Sequence, residues 1–179
     1  MSKLKQKLSE KIEEWRPRTT KLLKEYGDVK VSDVTIKQVI GGMRGVKCLT
    51  TDISYPDPYE GIRFRGYTIP EVMEKLPKVP GGEMPYVEGF FYLLLTGEIP
   101  SENDIEEIEQ EFNKRRDVPE YVLDTLRAMS RDTHPMTMFS AAIVSMQRES
   151  VFVKKYHEGI GKMEYWDPFY EDAMNLLAK

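Results

Sequence analysis

Cysteine occurs once in this sequence, as Cys48, so no intramolecular disulfide forms and no cysteine cluster can hold zinc. A lone thiol in this setting reads as a small buried or half-buried side chain rather than a reactive nucleophile. Histidine is nearly as scarce: His134 and His157 are the two present, with no HxxxH pair and no flanking carboxylate pattern of a metal site. His134 precedes Pro135 at a helix entrance, and His157 lies in Lys155-Tyr156-His157-Glu158 on an exposed helix, so both read as structural or surface groups. A serine-centred elbow, a Cys/His pair and a phosphate-cradling P-loop are also missing. The longest apolar run, from Gly89 to Thr96, is far too short to cross a bilayer. Nor does one charge dominate. The net charge of -4 gives no overall basic surface for nucleic acid or an anionic membrane.

A leader sequence is not visible either. The start has no apolar stretch for a secretory signal, and Glu10, Glu13 and Glu14 oppose an acid-poor mitochondrial leader. The expectation is a bacterial, cytoplasmic protein, with the mitochondrial matrix as the less favoured setting.

What is present is mostly helical pattern. The 179 residues, 40% hydrophobic, suffice for one domain or for part of a larger one. Leu4, Leu8, Ile12 and Trp15 recur at helical spacing. Pro17 is expected to end or kink that helix near Arg16 and to open a second one, carrying Leu22, Leu23 and Tyr26 and stopped by Gly27. Residues 1–28 thus form an N-terminal helical arm.

Residues 29–67 read as short strands and Gly/Pro-rich turns. Val29/Val31 and Val34/Ile36 alternate with polar residues but are out of phase across Ser32-Asp33, as a bulged strand or a tight turn would be. Thr35-x-x-Gln38 offers the competing signal, a capping box for a short helix running into Gly41. Val46 to Ile53 is a second strand candidate and Ile62 to Arg65 a third. The prolines of Tyr55-Pro56-Asp57-Pro58-Tyr59-Glu60-Gly61 mark a turn between them. Period-two spacing would put Arg63 and Arg65 on one face of the last strand and Phe64 on the other.

Residues 68–179 read as helices. Thr68-x-x-Glu71 is a capping box, and the helix it opens runs to about Leu76. Phe90 to Leu95 is apolar on every side, which predicts deep burial. Ser101 to Asp104 resembles another cap, ahead of Ile105, Ile108 and Phe112. Glu106, Glu107, Glu109 and Glu111 fit a solvated face of that helix. Pro119 opens a helix with Val122, Leu126 and Met129. Phe139, Ala142, Ile143 and Met146 form a further stripe, with the small residues Ser140, Ala141 and Ser145 allowing close helix approach. A last helix covers about Trp166 to Ala178. Its ending carries no Gly, Pro or polar tail, so the natural chain is expected to continue.

The most informative stretch is Gly41-Gly42-Met43-Arg44-Gly45-Val46-Lys47. A glycine-rich bend can present the Arg44 guanidinium to a phosphate, where its planar fork gives paired bonds and a full charge. A surface ion pair is the competing use. From the residues alone the chain is a helical piece with one anion-binding corner and no self-sufficient catalytic constellation.

That stretch, Gly61-Ile62-Arg63-Phe64-Arg65-Gly66-Tyr67, and Leu76-Pro77-Lys78 with Gly81-Gly82-Glu83 resemble the citrate synthases of mitochondria and some bacteria. So do Glu88-Gly89, Leu95-Thr96-Gly97-Glu98-Ile99-Pro100, His134-Pro135-Met136 with Ser140-Ala141-Ala142, Tyr165-Trp166 and Tyr170-Glu171-Asp172. The matches run in order along nearly the whole chain and place it in the N-terminal portion of that family. The resemblance implies a mainly α fold. This chain would be the N-terminal part of a multi-helical large domain, with a small antiparallel β element near residues 29–67. It implies a homodimer that condenses acetyl-CoA with oxaloacetate and water to citrate and CoA, with no metal and no cofactor beyond the substrates. In the family an Asp takes a proton from the acetyl methyl, one His stabilises the enol, and a second His assists at the oxaloacetate carbonyl. Those groups match positions beyond Lys179, so no catalytic residue is assigned in this segment. Arg44 matches an arginine beside the CoA phosphates and is the one CoA-binding residue carried over. Arg63 and Arg65 match the pattern as scaffold, and His134 matches a non-catalytic position. On this basis the 179-residue chain alone is expected to be inactive. Two other readings stay open: a relative of the 2-methylcitrate synthase type, and a non-catalytic helical module that binds a partner through exposed apolar stripes.

Overall fold

The computed structural model describes residues 2–46, 50–57 and 59–179. The readings of Cys48 as a buried or half-buried thiol, of positions 47–49 within the strand candidate Val46 to Ile53, and of Pro58 as a turn residue lie outside the described residues. The fold is mainly α with one small antiparallel sheet. It divides into two compact units, Met1–Ile105 and Glu106–Lys179.

In the first unit, α1 runs from Lys3 to Tyr26, with the Ser2 hydroxyl accepting from Lys5 N at 3.3 Å and Gly27 at its end. The break expected at Pro17 does not occur, and Pro17 sits inside one continuous helix. The carbonyl deprived of its donor belongs to Glu13, which is exposed, so water is at hand to satisfy it. The first half of α1 packs on α4 (Val87–Thr96), burying Leu4. Leu22, Leu23 and Tyr26 are exposed.

The expected strand over residues 29–36 is absent. Residues 29–35 have no regular structure, and α2 (Ile36–Ile40) follows under a complete Thr35/Gln38 capping box. The alternation had no sheet to bury against, since Val29, Val31 and Val34 are all exposed, so the local cap decided the conformation. Residues 50–53 are likewise not a strand.

The sheet starts later. β1 (Ser54–Asp57), β2 (Gly61–Phe64) and β3 (Tyr67–Thr68) pair antiparallel in that order, with Ser54 opposite Phe64 and Phe64 opposite Tyr67. The turn expected over residues 55–61 is therefore shorter. Pro56 is tolerated because β1 is an edge strand. The bend itself is made by the Asp57 carboxylate, which accepts from Tyr59 N at 2.8 Å and Glu60 N at 2.9 Å. Those bonds hold the Asp57 carboxyl below its ordinary pKa.

Arg65 leaves β2 as well. It and Gly66 form the two-residue turn to β3, with φ of 50° and 87°. Left-handed backbone at both positions matches the right-handed twist of the flanking strands. Arg63 and Arg65 therefore do not share a strand face.

Thr68 and Glu71 form the expected capping box of α3 (Ile69–Lys75). Val72, Leu76 and Leu93 of α4 are buried together, with Phe64, Tyr67 and Phe90 against them. Phe64 meets Phe90 edge-on, with centroids 4.8 Å apart. Helix α4 is less enclosed than its composition predicts: within Phe90 to Leu95, Tyr92 and Leu93 are buried, and Phe90, Phe91, Leu94 and Leu95 are half-buried. Gly97, at φ 76°, ends it in the left-handed region. Helix α5 (Glu102–Arg115) opens on the Ser101/Asp104 cap, and the boundary between the units falls within it.

The second unit holds the rest of α5, then α6 (Glu120–Arg127), α7 (Pro135–Ser145), α8 (Val151–His157) and α9 (Trp166–Ala178). Ile108, Val122, Tyr170 and Met174 are buried. Phe152 stacks on Phe169 at 4.0 Å. Arg115 joins α5 to α9 through Glu171 at 2.7 Å and Asn175 at 2.9 Å. Burial pulls the Arg115 pKa down, but the bonds and charges of Glu171 and Glu111 outweigh it and hold it raised. Helix α7 packs on α6 yet buries none of its own residues. Met136, Phe139 and Val144 are exposed.

Candidate functional site

The chain leaves α2 through a tight bend that carries Arg44. Met43 N–H donates back to the Gln38 carbonyl at 2.7 Å, and Val46 N–H to the Met43 carbonyl at 3.1 Å. Met43 itself takes a left-handed φ of 60°. The Arg44 side chain is exposed and makes no hydrogen bond or ion pair among the described residues. The competing use of this guanidinium, a surface ion pair, is thus not taken up here. A full charge with an uncommitted planar fork is suited to a phosphate or carboxylate.

The other two arginines of the glycine-rich region are committed. Arg63 donates from Nη2 to Glu60 Oε2 at 2.7 Å and from Nη1 to the Gly66 carbonyl at 3.2 Å. The Glu60 carboxylate raises its pKa. Arg65 is nearly buried, with its side chain 7% exposed. Its Nε and Nη2 reach the Leu94 carbonyl at 2.8 and 2.6 Å, and Nη2 also reaches the Leu95 carbonyl at 3.2 Å. These are carbonyls at the end of α4, where a helix leaves acceptors unpaired and carries partial negative charge. The Trp15 ring lies 4.7 Å from the guanidinium carbon, and Asp52 stands 3.6 Å from Nη1. Burial lowers the Arg65 pKa, and the Asp52 carboxylate opposes that shift. Both arginines line a groove of about 370 Å³ with Thr51, Asp52, Ser54 and Tyr55. Neither has its charge free, which agrees with a scaffold role. Arg44 is not in that lining.

The histidines take the structural places expected of them. His134 caps α7, its Nδ1 accepting from Met136 N at 3.2 Å. His157 ends α8 with its ring edge-on to Tyr156 at 6.1 Å. No group of three or more His, Cys, Asp or Glu is arranged to hold a metal among the described residues. No described helix is long and apolar enough to cross a membrane.

Sequence reasoning missed two polar devices. One is the Arg65 clasp, whose only local sign is the Arg-Gly pair between two short strands. The other is Asp172, which accepts from Ser150 Oγ and Val151 N at 2.6 Å and from Phe152 N at 3.1 Å, capping α8 from α9. A cap supplied from so far along the chain leaves no local signature. Asp172 and Ser150 line a cleft of about 150 Å³ with Met146 and Asn175, but the carboxylate there is already occupied by α8.

Residues 42–179 match the family model described as "Citrate synthase, C-terminal domain". Three relatives are each described as "Citrate synthase, mitochondrial". That of Aspergillus niger is 45% identical over 176 residues, covering 98% of this chain and 37% of the relative. That of Xiphias gladius is 44% identical over 176 residues, 98% of this chain and 38% of the relative. That of Neurospora crassa is 45% identical over 98% of this chain and 38% of the relative. The chain thus spans under two fifths of the length of these relatives. The expected bacterial cytoplasm is overturned, because the relatives are mitochondrial proteins by name. Glu10, Glu13 and Glu14 argue only against this stretch being a leader, and carry no information on where the folded chain works.

Proposed function

Since this chain belongs to the citrate synthase family, we propose that it is the N-terminal portion of a mitochondrial enzyme that condenses acetyl-CoA with oxaloacetate and water to give citrate and CoA. The observation that carries the reading is the ordered similarity over 98% of the chain, at 45% identity. Within that enzyme, residues 1–28 serve as the helical arm, residues 29–67 as the strand-and-turn region, and residues 68–179 as the helical part of the large domain.

Arg44 is the group of this segment that meets substrate, through the CoA phosphates. Its support is the exposed guanidinium, without a partner among the described residues, on a bend held by the Met43–Gln38 bond. The proton transfers belong to residues outside this segment. The exposed apolar residues Met136, Phe139 and Val144 on α7 support a homodimer contact there.

A citrate synthase assay on the purified 179-residue chain, beside the complete enzyme, tests the division of labour. The complete enzyme is expected to release CoA from acetyl-CoA and oxaloacetate, and the chain alone is expected to release none. Turnover by the chain alone would place the catalytic groups among these residues.

A further inference from the structure

The bend that bears Arg44 hangs on α2, and α2 hangs on its cap. Among the described residues, the hydrogen bonds of residues 35–46 all lie within that stretch. At the front, Gln38 N donates to Thr35 Oγ1 at 3.3 Å, while Gln38 Oε1 accepts from Thr35 N at 3.0 Å and from Thr35 Oγ1 at 3.1 Å. At the back, Gly41 N donates to the Lys37 carbonyl at 2.9 Å, Gly42 N to that of Val39 at 3.2 Å and Met43 N to that of Gln38 at 2.7 Å. Gln38 therefore serves both ends, the cap through its side chain and the bend through its carbonyl.

Burial along this stretch is inverted. Gln38 is half-buried, whereas Ile36, Val39 and Ile40 are exposed. The bend returns beside the Gln38 side chain: a Cβ on Gly45 would lie 4.0 Å from Nε2. Helix α2 has five residues and buries none of them. A single helical turn is unfavourable on its own, so the reciprocal cap carries its formation. With the turn formed, the Lys37, Gln38 and Val39 carbonyls stand in place to receive the bend. A methionine at φ 60° is strained, and Met43 keeps that conformation while the Gln38 carbonyl takes its N–H. Arg44 is the next residue.

We propose that Thr35 and Gln38 are positioning residues for Arg44: their reciprocal cap sets α2, and α2 sets the bend that presents the guanidinium to a phosphate of acetyl-CoA. The proposal rests on the reading of Arg44 as the CoA contact. Apparent affinity falls with the fraction of molecules in which the bend is formed. Losing the cap frays α2, displaces the Gln38 carbonyl and lowers that fraction, without touching the groups that do the chemistry.

The test uses Thr35→Ala and Gln38→Ala in the complete enzyme, each with and without Arg44→Ala, and Thr35→Ser as the conservative control. Thr35 is exposed and α2 buries none of its residues, so the rest of the fold is spared. Each alanine variant is expected to raise the KM for acetyl-CoA about fivefold, the scale of a lost helix cap, with kcat and the oxaloacetate KM unchanged. Thr35→Ser keeps the hydroxyl and is expected to match the parent. With Arg44→Ala present, neither alanine variant should change the acetyl-CoA KM further, because the group it positions is gone. Backbone amides of residues 41–43 should also exchange with solvent faster in both alanine variants. An unchanged KM, an equal effect in both Arg44 backgrounds, no rescue by Thr35→Ser, or unchanged exchange would each overturn the positioning role. Failure of the CoA reading itself shows separately, as an Arg44→Ala variant whose acetyl-CoA KM does not rise.

Discussion

Arg65 donates two hydrogen bonds to one carbonyl oxygen, that of Leu94, from Nε at 2.8 Å and from Nη2 at 2.6 Å. A side chain on a hairpin turn thus closes the end of a helix distant in sequence. The bonds are charge-assisted and nearly out of solvent, which places them among the stronger kind. Arg65→Ala leaves the end of α4 without its donors and opens space beneath Trp15. A loss of about 2 to 4 kcal/mol in urea unfolding of the complete protein is expected. Arg65→Lys should recover only part of it, because an ammonium lacks the fork. An alanine variant as stable as the parent would show that water replaces the clasp at no cost.

Pro17 sits within α1, where it removes one backbone bond to the Glu13 carbonyl. Pro17→Ala restores that donor in an exposed stretch. A gain of about 1 to 3 kcal/mol and a stronger far-ultraviolet helix signal are expected. A loss of stability would mean that the proline bends α1 to fit its packing on α4.

Glu98 accepts from Lys11 at 2.7 Å and Lys7 at 3.1 Å, fastening α1 beside the end of α4. The Lys11 hydrogen bond is the main cause of a lowered Glu98 pKa, burial opposes it, and Lys7 adds to it. A carboxylate whose folded pKa is depressed contributes stability above its unfolded pKa, and that contribution is lost as pH falls through the folded value. The window therefore lies below about pH 4.3, the ordinary glutamate value. Thermal unfolding followed from about pH 6 to about pH 3 should show a shallower acid loss in Glu98→Gln than in the parent. Equal slopes would mean that the two lysines exchange Glu98 for water freely. The effect is small, because the side chains are partly exposed.

Helices α3 and α5 were legible because their starts are written locally, whereas α4 has no side-chain cap and was legible from its apolar run. Thr68 with Glu71 and Ser101 with Asp104 each form the reciprocal bonds that their spacing announces. The same logic explains the misreading of residues 29–36. Alternating valines announce a strand only where a sheet waits for them, and here the Thr35/Gln38 cap met no such competitor. Arg44 was legible as a charge on a glycine-rich bend. The partners of Arg65 and Asp172 were not, because both act on helix ends far along the chain. Pro17 misled for a different reason: one missing donor in exposed helix costs too little to stop it.

The proposed role of Arg44, whose charge has no partner among the described residues, is to meet the CoA phosphates of a citrate synthase whose catalytic groups lie outside this segment. Steady-state kinetics of Arg44→Ala in the complete enzyme test it most directly. Losing one charge-assisted contact should raise the KM for acetyl-CoA about tenfold, leaving the oxaloacetate KM and kcat near their parent values. A rise of equal size in both KM values, or none in that for acetyl-CoA, would contradict the claim.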